Sequence, residues 1–249
     1  SNALEIYFPE ETPMKTLVLW GTAPSYSCPA TGGGAVQDLR SKGVKTVVVD
    51  PRFTPDAAKS DVWLPIRPGT DVALMLAWIR YIIHEKLYDE EFVMKWTNLP
   101  YLVNVETKMF VRAKESDNPD LPDTFMVWDS KTNSMQPMEY PWNDELSPVL
   151  EGSFTVDGVE YKTGFQLLKD QVEEYTLEKA AEICQLDADK IKEAIELFAK
   201  NSPSGLAIGV ATDQTPNSVQ AAMGAATLDL LMGNVEKPGT LLQRFRKSG

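Results

Sequence analysis

The chain has 249 residues, with 36 acidic against 24 basic side chains and a formal net charge of -12. That balance excludes sequence-independent nucleic-acid binding, which needs a basic face, but leaves a phosphate ligand open, because backbone N–H groups at a helix N-terminus hold phosphate without net positive charge. At 43% hydrophobic and 24% charged, the composition is that of a globular protein with enough residues for one large α/β domain or two smaller ones.

Ser1-Asn2-Ala3 reads as a scar of tag removal and stays outside fold reasoning. Residues 4–14 read as a connecting arm. The two cysteines, Cys28 and Cys184, match no zinc or iron–sulfur spacing, so no structural metal site is expected. The longest apolar run, Val72–Ile83, contains Arg80 and is too short to span a bilayer, so no direct membrane segment is expected.

Met14–Trp20 is a continuous apolar run closed by Gly21, as for a strand covered on both faces. Thr22–Thr31 reads as a loop, Gly32–Gly34 as a flexible helix entry, and Ala35–Lys42 as a helix with Gly43 at C′. Lys45–Asp50 is a second buried strand, which makes a βαβ unit with a parallel pair and a right-handed crossover. Thr54-Pro55-Asp56 starts a short helix. Asp61–Ile66 is a third strand. Thr70 or Asp71 caps a long buried helix over about Val72–Leu87, and Asp89 caps a short one.

The texture changes from Leu99 to about Thr163, where three segments each read as two short strands around a turn. The clearest turn is Val156-Asp157-Gly158-Val159, whose Asp-Gly pair supplies the positive φ angles of a tight hairpin. Helical patterns return over FQLLKDQVEEY, LEKAAEIC and DADKIKEAIELFAK, with Asp187 as an N-cap. Gly205–Val210 is a further strand, followed by the polar loop Ala211–Asn217 and a helix rich in small residues. The expected fold is a Rossmann-like parallel α/β sheet flanked by helices: a dinucleotide-binding domain over 14–203, with a β-hairpin-rich insertion at about 99–163, and a strand–helix start of a second cofactor-binding α/β unit over 204–249.

In open α/β sheets, ligands sit at the carboxyl ends of the strands. Asp50 ends the second strand and is read two ways: a turn-former before Pro51, or an acceptor for ribose hydroxyls or a purine edge. Arg52 is a phosphate or base contact, or a surface ion pair. Asp71 is a helix N-cap, or a carboxylate taking the N1–H and N2–H₂ donors of guanine. Gly69 allows backbone to come close to a ligand. The stretch Gly209–Asn217 joins a strand to a helix, so its amides face whatever lies above the turn. His84, the one histidine, reads as structural, and Cys28 has no evident neighbour to activate it.

Taken in order, Trp20-Gly21, Val49-Asp50-Pro51-Arg52, Thr54, Ala57, Asp61 and Arg67-Pro68-Gly69-Thr70-Asp71 followed by Ala73-Leu74 resemble the molybdopterin oxidoreductases of the dimethyl sulfoxide reductase type. LEGSFTVDG, YKTGFQLL and YTLEKAAEIC resemble the branch with acetylene hydratase and polysulfide- or thiosulfate-reductase-like enzymes. Gln214, Asn217-Ser218, Gln220 and LLMGNVEKPGT resemble the family's second cofactor stretch. The resemblance covers roughly Lys15–Leu241. It implies a molybdenum- or tungsten-dependent oxidoreductase of anaerobic respiration and electron transfer, whose metal lies between two molybdopterin guanine dinucleotides (bis-MGD). Gly21 and Thr22 would approach phosphate or ribose, Asp50 and Arg52 would hold the nucleoside, and Asp71 would read guanine, with Trp20 and Gly69 also among the cofactor-binding residues. Gly209, Thr212, Gln214 and Asn217 would lie near the second dinucleotide or the pterins.

Two departures stand out. The family often has Gly-Ser-Asn-Pro where this chain has Gly21-Thr22-Ala23-Pro24, and a second later glycine is Ala211 here. No candidate metal ligand or iron–sulfur cysteine cluster fits. The resemblance therefore implies an internal fragment of a larger catalytic subunit, inactive and without cofactor by itself. Its expected partners are the remaining domains and an iron–sulfur electron-transfer subunit. Two other readings stand beside it: an NAD-type dehydrogenase domain, carried by the βαβ unit with Asp50 but lacking the G-x-G-x-x-G turn, and a non-enzymatic interaction module.

Overall fold

A computed structural model describes residues 14–114, 123–138, 144–235, 237 and 240. All of the arm expected over 4–14 except Met14 lies outside the described residues, as do Glu236, Pro238 and Gly239 of the last family-like stretch. The chain divides into two compact units, one made of the residues up to Asp89 with those from Glu174 onward, the other of Glu90–Glu173.

The first unit opens with β1 (Thr16–Trp20), α1 (Pro24–Ser27), a π-helical turn (Pro29–Gly33), α2 (Gly34–Ser41), β2 (Lys45–Val49), α3 (Pro55–Ala58), β3 (Val62–Leu64) and α4 (Asp71–His84). The second holds α5 (Glu90–Trp96), β4 (Leu102–Asn104), β5 (Met109–Phe110), β6 (Arg112–Lys114), β7 (Thr124–Asp129), β8 (Ser134–Met138), β9 (Ser153–Val156), β10 (Val159–Thr163) and α6 (Gly164–Val172). The chain then returns to the first unit with α7 (Leu177–Cys184), α8 (Ala188–Lys200), β11 (Ser204–Ile208), α9 (Val210–Asp213) and α10 (Ser218–Leu231).

The first unit is a parallel sheet in the order β11-β1-β2-β3. Every residue of β1 is buried, as its unbroken apolar run requires of a strand covered on both faces. Alternation along the strands splits that burial between two layers. Leu17, Leu19 and Val48 pack with Val36, Leu39 and Ala57 on one face. On the other, the Trp20 ring meets Trp78 of α4 edge-on at 5.4 Å, and Trp78 meets Phe198 of α8 at 5.6 Å. Each such fully buried side chain contributes about 1.5–3 kcal/mol of transfer free energy.

Three local expectations change. Thr22–Thr31 is not a loop, because Pro24 and Pro29 each open a helical turn with φ already set. Gly32 and Gly33 are there for packing rather than flexibility: a Cβ on either would come within 3.0 Å of Pro24 or Ser25. The strand expected to begin a second unit at 204 runs parallel to β1 in the same sheet, Thr16 opposite Ser204 and Trp20 opposite Ile208.

The second unit carries the expected hairpins as two antiparallel sheets, β5-β4-β10-β9 and β6-β7-β8. Asp157 and Gly158 take φ of 50° and 79° at the β9–β10 turn. Asp129 closes β7 onto neighbouring loops, accepting from the Ser147 N–H at 2.6 Å and the Thr132 N–H at 2.9 Å. These bonds hold its carboxyl below the usual range against the opposing effect of burial.

Candidate functional site

Parallel pairing brings the carboxyl ends of β11, β1, β2 and β3 to one edge. Sequence order reverses there, since β2 lies on one side of β1 and β11 on the other; this is the crevice where open α/β sheets bind ligands. Gly21 and Gly209 meet at that switch point. The Gly21 N–H donates to Val49 O at 2.9 Å, and the Gly209 N–H donates to Trp20 O at 2.8 Å. Gly21 has φ +61°, and a Cβ on Gly209 would collide with the Gly21 carbonyl, 2.6 Å from its carbon. Both positions therefore need glycine, one for backbone conformation and one for close approach. Thr212 is buried and donates its hydroxyl to Gly209 O at 2.8 Å, which fixes the turn into α9. Thr22 is half-buried, while Gln214 and Asn217 are exposed. Asn217 is the N-cap residue of α10 but makes no side-chain cap bond.

Beyond β2, Asp50 is 5% exposed. Its Oδ1 accepts the Arg52 N–H at 2.8 Å, which is the turn-forming role; Oδ2 has no partner among the described residues. The Asp50 carbonyl accepts the Trp63 indole N–H at 2.9 Å. The Arg52 side chain is exposed, 3.9 Å from Asp50 Oδ1 and 5.9 Å over the ring centroid of Tyr26. Tyr26, which lies in the expected loop, therefore joins the edge although nothing in its sequence neighbourhood marks it.

Asp71 is the first residue of α4, and its Oδ1 accepts the Trp20 indole N–H at 2.8 Å. Trp20 has no exposed surface, so it reaches the edge only through that hydrogen bond. Gly69 has φ +83° and open space where a side chain would be. Cys184 is buried beneath this turn, its Sγ 3.6 Å from Thr70 O, and burial pushes its thiol up.

Cys28 does have a neighbour. Its Sγ lies 2.6 Å from Thr31 Oγ1, and that bond holds the thiol below its ordinary value. The bond comes from the π-helical turn, which the expectation of a loop did not contain. A cleft of about 620 Å³ opens at the opposite, N-terminal edge of the sheet. Two ion pairs lie in its wall, Lys45 with Asp61 and Lys200 with Glu196, both at 2.8 Å. No group of three metal-ligating side chains occurs among the described residues. Among them, too, no helix is long and apolar enough to cross a membrane.

The residues at the carboxyl edge suit the nucleoside end of a cofactor. Asp50 and Asp71 each commit one oxygen internally and keep another as an acceptor, Arg52 is an exposed cation, and Gly69 leaves backbone open. Hydroxyl and amide donors of a nucleoside need such acceptors, and a phosphate needs such a cation.

The sequence profile described as Molybdopterin oxidoreductase matches residues 13–246. The catalytic polypeptide of a putative dimethyl sulfoxide reductase from Halobacterium salinarum is 31% identical over 192 residues, 77% of this chain and 23% of that protein. The alpha polypeptide of perchlorate reductase from Dechloromonas aromatica is 29% identical, over 93% of this chain and 28% of its own length. Among solved structures, acetylene hydratase from Pelobacter acetylenicus superposes with a TM-score of 0.60 at 26% identity, covering 93% of this chain and 24% of that one. The chain thus spans about a quarter of the length of these relatives. A profile running from residue 13 to residue 246 takes in the switch-point edge and nearly everything around it, and the chain belongs to the molybdopterin oxidoreductase family.

Proposed function

We propose that this chain is the guanine-dinucleotide-holding core of a molybdenum- or tungsten-dependent oxidoreductase, inactive when separated from the rest of its subunit. The observation that carries the reading is the convergence of Gly21, Asp50 and Asp71 on one sheet edge, with an oxygen of each carboxylate uncommitted. In this reading Asp71 accepts from guanine, and Trp20 holds that carboxylate in place without touching the ligand. Asp50 accepts from the ribose, Arg52 neutralises phosphate, and Gly21 with Thr22 brings backbone close to it. Gly69 leaves room for the base. Gly209, Thr212, Gln214 and Asn217 line the turn toward a second dinucleotide or the pterins. When bound, the metal–pterin group supplies the redox chemistry; these residues bind and orient its nucleotide end.

Both oxidoreductase relatives are named as single subunits, one catalytic and one alpha, which supports a proposal that the complete protein works with its own further domains and an iron–sulfur electron-transfer subunit. The NAD-type and non-enzymatic readings are not favoured by a family profile that covers nearly the whole chain. The test is acid release of nucleotide from the complete protein. Guanine nucleotide is expected from the native protein and is depleted in Asp71→Asn, which turns part of the acceptor into a donor. Release of adenine nucleotide alone would overturn the reading.

A further inference from the structure

The turn that follows β1 is held by a carboxylate from another helix. α1 has no side-chain cap of its own at Ala23. Instead, the Ser25 N–H donates to Asp56 Oδ2 at 3.0 Å, and the Ser25 hydroxyl donates to Asp56 Oδ1 at 2.7 Å. Asp56 belongs to α3 and is fully buried. An acid in a first helical turn commonly serves its own helix end. Here Thr54 does so, its Oγ1 accepting the Ala57 N–H at 3.1 Å, and Asp56 is left for Ser25.

A buried carboxylate needs a counter-charge, and Arg40 of α2 supplies it. Arg40 Nη1 lies 3.9 Å from Asp56 Oδ1, Nη2 donates to Asp56 O at 2.8 Å, and Nε donates to Thr46 Oγ1 at 3.1 Å. One ion pair therefore joins α1, α2, α3 and β2. The next residue after Ser25 is Tyr26, 63% exposed and beneath the Arg52 guanidinium. The buried bonds thus fix the segment whose outward groups, Thr22 and Tyr26, stand at the nucleotide edge.

We propose that Asp56, held by Arg40, is a positioning residue for the nucleotide site: through Ser25 it sets the Thr22–Tyr26 turn against Arg52 before any nucleotide arrives. The proposal rests on the guanine-nucleotide reading above. It adds a residue that touches neither ligand nor solvent.

The experiment compares Ser25→Ala, Asp56→Ala, the double variant and Asp187→Ala in the complete protein. Asp187→Ala removes the N-cap of α8, whose carboxylate accepts from the Lys190 N–H and not from the turn after β1, and reports the effect of lost stability alone. The first readout is the rate at which acid-releasable guanine nucleotide disappears during prolonged dialysis. The second is backbone hydrogen exchange over residues 22–28 in the cofactor-free chain. Ser25→Ala is expected to speed nucleotide loss and local exchange by about tenfold, the size of one charge-assisted hydrogen bond. The double variant is expected to match Asp56→Ala, because the two residues act as one unit, and Asp187→Ala is expected to change neither readout. If Ser25→Ala leaves both rates unchanged, the inference is overturned and the binding reading stands. If the native protein releases no guanine nucleotide, both fall. If Asp56→Ala does not fold, Ser25→Ala decides alone.

Discussion

At the scale of single residues, the site depends on side chains that sequence position does not connect. Asp71 was legible as a helix opener after Arg67-Pro68-Gly69-Thr70. Its bond from Trp20 was not, since the two are 51 residues apart and only the fold joins them. Trp20→Phe keeps the ring packing on Trp78 but removes the N–H donor. The half-buried Asp71 then loses a charge-assisted bond, at a cost of about 1.5–3 kcal/mol. A lower thermal midpoint is expected, together with faster loss of guanine nucleotide; an unchanged midpoint would show that the bond contributes nothing. Tyr26 and Ser25, the partner of Asp56, were hidden for a different reason. Their roles come from turns in a segment whose prolines and glycines read equally well as loop.

Among the elements, α10 is the one whose polar chemistry runs against its setting. Its small residues Ala221, Gly224 and Ala225 are buried, and Gly224 leaves room for Met75 of α4, whose sulfur would lie 3.0 Å from an added Cβ. The same buried face holds Asp229, 7% exposed, with no hydrogen-bond partner for Oδ1 among the described residues. Burial pushes this carboxyl well above its ordinary value, against a smaller opposing effect from Asn234. A raised folded-state value means that the group's contribution is complete below the unfolded carboxylate value, about 3.9, and is lost as pH rises from there through the folded value. Asp229→Asn removes that loss. The variant and the native chain should have similar urea midpoints near pH 4. The variant should gain toward neutral pH, by on the order of 1–3 kcal/mol. A gap that does not change with pH would sink the idea. The helix itself was legible from its spacing, as was the β9–β10 hairpin from Asp157-Gly158. The helical turn of α9 was not, because ATDQTPN is polar and carries a proline.

For the whole molecule, the alternation of apolar runs with helical stretches was enough to give a parallel α/β sheet with a hairpin insertion. Strand partnership was not legible. Nothing in SGLAI says that it belongs beside LVLW rather than in a new sheet, because a short buried strand does not carry the identity of its partner. That pairing joins Thr16 to Ser204 with the entire second unit between them in sequence. A chain ended at residue 203 should therefore leave β1 with an unpaired edge and fail to fold cooperatively, which circular dichroism and size exclusion would reveal. A native-like melt in that truncation would overturn the expectation. The same pairing has a consequence in time. During synthesis, β1 leaves the ribosome before the other strands of its sheet and must wait for nearly two hundred further residues before β11 exists, so the Gly21–Gly209 crevice is the last part of that sheet edge to form. High contact order of this kind slows folding and prolongs exposure of an apolar strand. A nascent chain of this protein should thus depend on a holding factor until β11 has left the ribosome.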